Sequence, residues 1–289
     1  MRDRALEIEA GDPLLMGIVN ASPESFSDGG RTGDLDAQVE LARELTEAGA
    51  HLIDVGGESG VTDRPPISPK EELDRVLPLV ERLAAQGLLV SVDTWKPEVA
   101  AAVVDAGAAM INDVSGLLYP ELADPCAASG AALVVMHTRS EPKQKTFPHY
   151  DDVLADVLGF LRERMALAME RGVGEEQIVL DPGPDFAKTP AQSVEVLRNL
   201  PALAELGRPV LLAASRKDFV GALTNRRPRE RLGGTLAAIG EGVDAGAAIL
   251  RVHDVAQVRD FLTVRAALRG EANVPDNLHL DEHLRRQRA

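Results

Sequence analysis

The stretch from Leu88 to Asp113 reads LLVSVDTWKPEVAAAVVDAGAAMIND and holds one complete unit of the architecture. A short apolar run, Leu88–Asp93, ends in a carboxylate. A helical pattern follows over Pro97–Ala106, opened by a proline, whose missing N–H is no loss in a first helical turn. Ala106-Gly107-Ala108 then ends the helix on a glycine and turns into a second apolar run, Ala109–Asp113. Strand, helix, glycine turn and strand in that order make a parallel sheet with a helical crossover.

The same unit recurs on both sides. Further runs with strand character are Leu14–Asn20, His51–Val55, Ala131–His137, Ile178–Asp181, Pro209–Ser215 and Ala248–His253, giving eight in all. Helical patterns cover Leu35–Ala48, Glu71–Gln86, Val153–Arg171 and Glu230–Ala245. Glycines at Gly49, Gly87, Gly107, Gly130, Gly172 and Gly246 mark helix ends. Eight alternating units point to a closed (β/α)8 TIM barrel more than to an open doubly wound sheet, although sequence alone leaves closure open. The expected layout is a single barrel over residues 1–269 and a charged C-terminal extension over 270–289.

Composition agrees with a chain that can fill such a core. Of 289 residues, 45% are apolar, chiefly Ala, Leu and Val, and 27% are charged. Aromatic residues are only 3%, too few for a surface that stacks single-stranded nucleic acid. A formal net charge of −15 argues against a nucleic-acid partner or an anionic membrane surface. It does not exclude an anionic small molecule held by a few local cations. Cys126 is the single cysteine, which excludes an internal disulfide framework and a zinc site made of cysteines. The charged N-terminus lacks the apolar core of a signal peptide, and no apolar stretch reaches membrane-spanning length. A soluble, cytoplasmic location is the expectation.

Polar residues gather where the strands end. Strand 1 ends in Asn20, strand 2 in Asp54 and Glu58, strand 3 in Asp93, and strand 4 in Asn112-Asp113. His137, Asp181, Ser215-Arg216-Lys217 and Arg251 with His253 close the other four. In an α/β barrel these ends share the rim that carries the active site. Any one of them is more often a satisfied loop start or helix cap than a functional group; eight in series are harder to dismiss. Asp93, Asn112 and Asp181 form a carboxylate–amide–carboxylate set suited to a flat heterocycle with adjacent donors and acceptors. Lys217 adds a donor for a carbonyl, and Asn20, Arg251 and His253 suit an anionic group, with a divalent cation bridging through the Asn20 oxygen.

Several blocks resemble the dihydropteroate synthase family: Met16-Gly17-Ile18-Val19-Asn20-Ala21-Ser22-Pro23-Glu24-Ser25-Phe26-Ser27-Asp28-Gly29-Gly30, then Asp54–Ser59, Ser91–Thr94 and Ile111–Val114. Asp181-Pro182-Gly183, Ser215-Arg216-Lys217 and Arg251–Val255 continue the match in order, so the likeness spans about Leu14 to Arg269. It implies an enzyme that joins 6-hydroxymethyl-7,8-dihydropterin diphosphate to p-aminobenzoate, releasing dihydropteroate and diphosphate in folate biosynthesis. By the same resemblance Asp93, Asn112, Asp181 and Lys217 hold the pterin. Asn20 stands at the magnesium (Mg2+), and Arg251 with His253 bind diphosphate. Phe186, Lys217 and Ser215 line the p-aminobenzoate pocket. Asp93, Lys217, Arg251 and His253 are the catalytic candidates. The implied reaction is dissociative, the implied cofactor is Mg2+, and the implied assembly is a homodimer.

Two loops depart from the family pattern. Gly60 and Val61 stand where the family has a diphosphate-contacting Thr and Arg, and Arg64 is the basic residue nearest to replace them. In the strand-6 loop Asp185 stands where the family has Gly, so a carboxylate near the pterin and aminobenzoate sites is expected to alter substrate preference or repel an acidic acceptor. A divergent pterin-binding paralogue without synthase activity is therefore an open alternative. A methyltetrahydrofolate-binding methyltransferase is a more distant one, opposed by Ser25-Phe26-Ser27-Asp28 and Ser215-Arg216-Lys217.

Overall fold

A computed structural model describes residues 11–22, 34–58 and 65–285. Among them are eight strands: β1 (Leu14–Asn20), β2 (Leu52–Gly56), β3 (Val90–Asp93), β4 (Met110–Asp113), β5 (Ala132–Met136), β6 (Ile178–Asp181), β7 (Leu211–Leu212) and β8 (Ile249–Val252). The helices are α1 (Leu35–Glu47), α2 (Pro69–Ala85), α3 (Pro97–Asp105), α4 (Ala123–Ser129), α5 (Val153–Glu170), α6 (Pro190–Arg198), α7 (Asp218–Thr224), α8 (Leu232–Asp244) and α9 (Val255–Leu268). The parallel sheet runs β6-β5-β4-β3-β2-β1-β8-β7. Its two edges meet, because Leu180 N donates to Pro209 O at 2.9 Å and Leu180 bridges Val210. The sheet is thus a (β/α)8 barrel.

Local chemistry sets the element ends. Ser68 caps α2 through Glu71 N and is followed by Pro69 in the first turn. Thr189 and Gln192 form a reciprocal capping box on α6. All six glycines expected at helix ends have positive φ. Gly107 needs this and more, since a Cβ there would lie 2.9 Å from the Ala84 Cβ. The shortest strand is β7, expected over Pro209–Ser215. Pro209 can donate nothing to a ladder, and Ala213–Ser215 leave the sheet to reach a turn at Arg216 with φ 58°.

Alternation along the strands makes two cores. Leu15, Val19, Ile53, Val55, Val92, Ile111 and Val135 face outward into one core shared with the helices. Leu14, Met16, Leu52, Met110, Val134, Val179, Leu211 and Ile249 face inward and fill the lower barrel. The same inward parity continues upward into different chemistry. Two residues beyond Leu52 stands Asp54, beyond Met110 Asn112, beyond Val179 Asp181, and beyond Ile249 Arg251. Register holds these in neighbouring layers: Asn20 pairs with Gly56, Gly56 with Asp93, and Asp93 with Asn112. An apolar plug below and a polar floor above follow from one period-2 pattern. The segment 270–285 after α9 is exposed at every position.

Candidate active site

Above the plug is a cavity of about 350 Å³. Asn20, Asp93, Asn112, Asp181, Ser215, Lys217, Arg251 and His253 line it, as do Phe186 from the loop after β6 and Glu58 after β2. Every candidate site residue from the sequence is therefore at this cavity except Arg64, which lies outside the described residues.

The floor is an ion-pair network. Arg251 Nε donates to Asp54 Oδ2 at 2.6 Å, and its NH2 donates to Asp93 Oδ2 at 3.0 Å. Ser91 donates to the other Asp54 oxygen at 2.6 Å, and Asn112 Nδ2 donates to Oδ2 at 3.2 Å. Asp54 is wholly buried, so removing Arg251 would leave an uncompensated charge, a change that typically costs about 3–5 kcal/mol. Burial works to lower the Arg251 pKa, but Asp54 and Asp93 outweigh it and hold the guanidinium charged. Asp93 keeps 23% of its side chain open to the cavity. Burial, aided by Asp54 and Glu72 and opposed by Arg251, pushes its carboxyl up to about 7. The sequence placed Arg251 among the diphosphate groups; here it also sets the position of Asp93.

Around this floor stand further donors and acceptors. Asp181 Oδ1 accepts from Gly183 N at 2.7 Å, and burial raises its pKa. Lys217 Nζ stands 4.2 Å from the centroid of the Phe186 ring, and burial lowers its pKa against the pull of Asp181. His253 N donates to Ser215 Oγ at 3.2 Å, and the serine hydroxyl is 3.0 Å from His253 Nδ1. With that hydroxyl donating to Nδ1, the ring proton sits on Nε2. Glu58 pairs with Lys96 at 2.8 Å and accepts from Ile67 N at 3.3 Å.

Three strand-end residues have structural work instead. Asp113 is wholly buried and accepts from Ser115 N and Leu117 N, holding the turn after β4. His137 bonds Asp156 through Nε2 at 2.8 Å and Lys188 through Nδ1 at 2.7 Å, outside the cavity lining. Arg216 turns away to a two-bond pair with Asp254. Asp185 corrects an expectation. Its carboxylate does not face the cavity; both oxygens accept from Phe219 N at 3.2 Å, and Ser193 Oγ donates to one of them. Its backbone, at φ 67°, swings the side chain toward α7.

Sequence reasoning passed over Asp54 as a site component. The signal was present, since Asp54 shares inward parity with Leu52 and faces Ser91 across the β2–β3 register.

Residues 16–253 match the family model described as pterin binding enzyme. The dihydropteroate synthase of Bacillus subtilis is 41% identical over 263 residues, covering 90% of each chain. A Xanthomonas albilineans dihydropteroate synthase solved with 4-aminobenzoic acid superposes with a TM-score of 0.83 at 46% identity, covering 91% of this chain and 94% of that one. The same organism's enzyme in complex with 7,8-dihydropteroate gives a TM-score of 0.81 at 44% identity, with 93% and 97% covered. On a match that spans the barrel from β1 to the end of β8, this chain belongs to the pterin-binding enzyme family whose named relatives are dihydropteroate synthases.

Proposed function

We propose that the cavity joins a 6-hydroxymethyl-7,8-dihydropterin diphosphate to p-aminobenzoate, giving 7,8-dihydropteroate and diphosphate. The activity is that of a dihydropteroate synthase, a transferase of folate biosynthesis, in line with relatives at about 40% identity over most of the chain. The observation that carries the reading is the inward set Asp93, Asn112, Asp181 and Lys217 on one cavity that also holds His253, Asn20 and Phe186. It favours a synthase over a paralogue that merely holds a pterin, because the groups for a leaving anion and an aromatic acceptor accompany the heterocycle set.

In this reading Asp181 and Asp93 accept from the pterin's N–H groups, Asn112 adds its amide, and Lys217 donates to the carbonyl. Arg251 acts twice, fixing Asp93 and lending positive charge toward the diphosphate. His253 Nε2–H donates to a phosphate oxygen. As the C–O bond to diphosphate lengthens, positive charge grows on the methylene and ring, where the two carboxylates stabilise it. The arylamine, placed beside Phe186, Lys217 and Ser215, then forms the C–N bond and loses a proton. No protein nucleophile takes part.

Magnesium fits as a companion of the substrate. Among the described residues no group of three or more His, Cys, Asp or Glu could hold a metal ion. Asn20 offers one oxygen, 3.6 Å from where a Cβ on Gly56 would stand, so the glycine leaves room beside it. A cation bound by one protein oxygen, waters and diphosphate oxygens suits magnesium, which would neutralise the leaving group.

Assembly as a homodimer is part of the proposal. Phe219, Val220, Leu223, Ala237 and Ala238 line an apolar groove between α6, α7 and α8, and Leu223 is 70% exposed. A self-complementary two-fold contact is the commonest way to cover such a face. No helix among the described residues is long and apolar enough to cross a membrane; a cytoplasmic location remains our proposal.

Three results are expected. Pure protein with pterin diphosphate, Mg2+ and p-aminobenzoate should form dihydropteroate; tight pterin binding without product would favour the paralogue. Because protonation removes the Asp93 charge and turns one acceptor oxygen into a donor, kcat/KM for the pterin diphosphate should fall as pH drops below about 7, and Asp93→Asn should remove that limb. For folding the sign is opposite: this carboxyl contributes most below its ordinary range, and the contribution is lost as pH rises through about 7. A pH–rate profile flat down to about pH 5 would contradict the assignment. Light scattering should give twice the chain mass for wild type and a monomer for Leu223→Glu; a monomeric wild type rules the dimer out.

A further inference from the structure

The loop from Pro182 to Lys188 carries Phe186, and it is held in a conformation that its sequence would not adopt alone. Gly183, Asp185 and Ala187 have φ of 63°, 67° and 51°. At Gly183 a side chain is impossible, since a Cβ would meet His137 O at 2.1 Å. Asp tolerates this left-handed region moderately and Ala poorly, so outside contacts must impose it.

Two side chains supply most of them. Lys188 is 1% exposed, and its Nζ is within reach of Gly183 O at 2.9 Å, Phe186 O at 3.2 Å and His137 Nδ1 at 2.7 Å. His137 Nε2 donates to Asp156 Oδ1 at 2.8 Å, which leaves Nδ1 as an acceptor and directs all three ammonium protons inward. Tyr150 Oη donates to the remaining strained unit at Ala187 O, 2.9 Å away. Asp185 works from the other end. Helix α7 begins after Lys217, whose side chain makes no cap hydrogen bond. A cationic residue at that position cannot accept from the first-turn amides. Asp185 provides the acceptor instead, with both carboxylate oxygens 3.2 Å from Phe219 N. This contact lies one residue from Phe186 on one side and two from Lys217 on the other. It spans the same gap that separates the Phe186 ring from Lys217 Nζ, 4.2 Å.

We propose that Asp185 and Lys188 are positioning residues for the acceptor: Asp185 staples the 182–188 loop to α7, Lys188 ties the loop to itself and to His137, and together they fix the Phe186–Lys217 pair as one wall of a slot for a flat arylamine. The proposal rests on the synthase reading, and in particular on Phe186 and Lys217 facing the p-aminobenzoate. It gives the departure at Asp185 a role. The carboxylate bonds a helix amide and stands outside the cavity lining, so it reaches the site only through its charge, which acts on Lys217.

The test compares Asp185→Gly, which keeps the left-handed backbone and loses the cap, with Asp185→Asn, which keeps both. Lys188→Met removes the lower anchor at similar volume. Asp185→Gly and Lys188→Met should raise KM for p-aminobenzoate by about tenfold, while KM for the pterin diphosphate stays within about twofold, and Asp185→Asn should stay close to wild type. Equal rises for both substrates, or no rise in Asp185→Gly, would overturn the proposal; the Asp185 pair decides if Lys188→Met does not fold. Amide exchange without substrate separates this outcome from failure of the synthase reading. Exchange at residues 183–188 and at Phe219 should quicken in Asp185→Gly, and unchanged exchange overturns the staple whether or not the enzyme turns over. A wild type that makes no dihydropteroate, with the exchange result intact, would instead overturn the synthase reading and the acceptor part with it.

Discussion

Arg251 reaches from the last strand across the barrel top to Asp54 on β2 and Asp93 on β3, and the site is organised around that span. The three residues come from strands that pair through β1, so the guanidinium links both sides of the first strand. Such a network is costly to bury and would contribute little to stability compared with apolar packing of the same volume. Its use is geometric. Bridging two carboxylates, with one hydrogen bond to each, the guanidinium holds Asp93 in place before any ligand arrives. Ser91 and Asn112, bonded to Asp54, leave its carboxylate little freedom to turn.

The barrel makes this arrangement available through parity. Leu14, Leu52, Met110, Val179 and Ile249 fill the lower interior, and the inward positions above them are where polarity begins. A closed wall of strands with a dry plug beneath gives charged groups a low-dielectric setting on one side and the cavity on the other. Burial accordingly raises the carboxyl pKa values of Asp93 and Asp181 and lowers that of Lys217. Groups held away from their preferred charge states gain most when a ligand brings the complementary partner. A heterocycle with adjacent N–H donors and a carbonyl does this for all three. The Ser215–His253 contact and Asn20 add the anion side without disturbing that floor.

Much of the arrangement was legible in residues alone, and the limits have physical causes. Strand and helix positions follow from apolar runs ending in polar residues and from glycines at helix ends, local signals that survive in one dimension. The cavity residues Asn20, Asp93, Asn112, Asp181, Ser215, Lys217, Arg251 and His253 each stand at or just beyond a strand end, which is why they could be named. Asp54 stood in the same pattern, but its service to Arg251 depends on a contact between positions 197 apart in sequence. His137 and Asp113 show the opposite failure, since a polar strand end serves equally well as a structural anchor. Asp185 was misread because one left-handed backbone angle turns a side chain from the cavity to a neighbouring helix. No periodicity carries that information. Arg64 lies outside the described residues, so its relation to the diphosphate remains an expectation from sequence.

The central claim is that the Asp54–Arg251–Asp93 network preorganises the heterocycle site. It is tested most directly by calorimetry of a bare pterin, without diphosphate, binding to wild type and to Asp54→Asn. The substitution keeps the shape of Asp54 and removes its charge at a residue that is not itself among the cavity lining, acting on the site through its bonds to Arg251 and Asn112. A folded Asp54→Asn protein should bind the pterin roughly ten- to a hundredfold more weakly, since Asp93 then loses its fixed direction. Equal affinity in the two proteins would show that Asp93, Asn112 and Asp181 are placed by the barrel alone, and the network would lose its role.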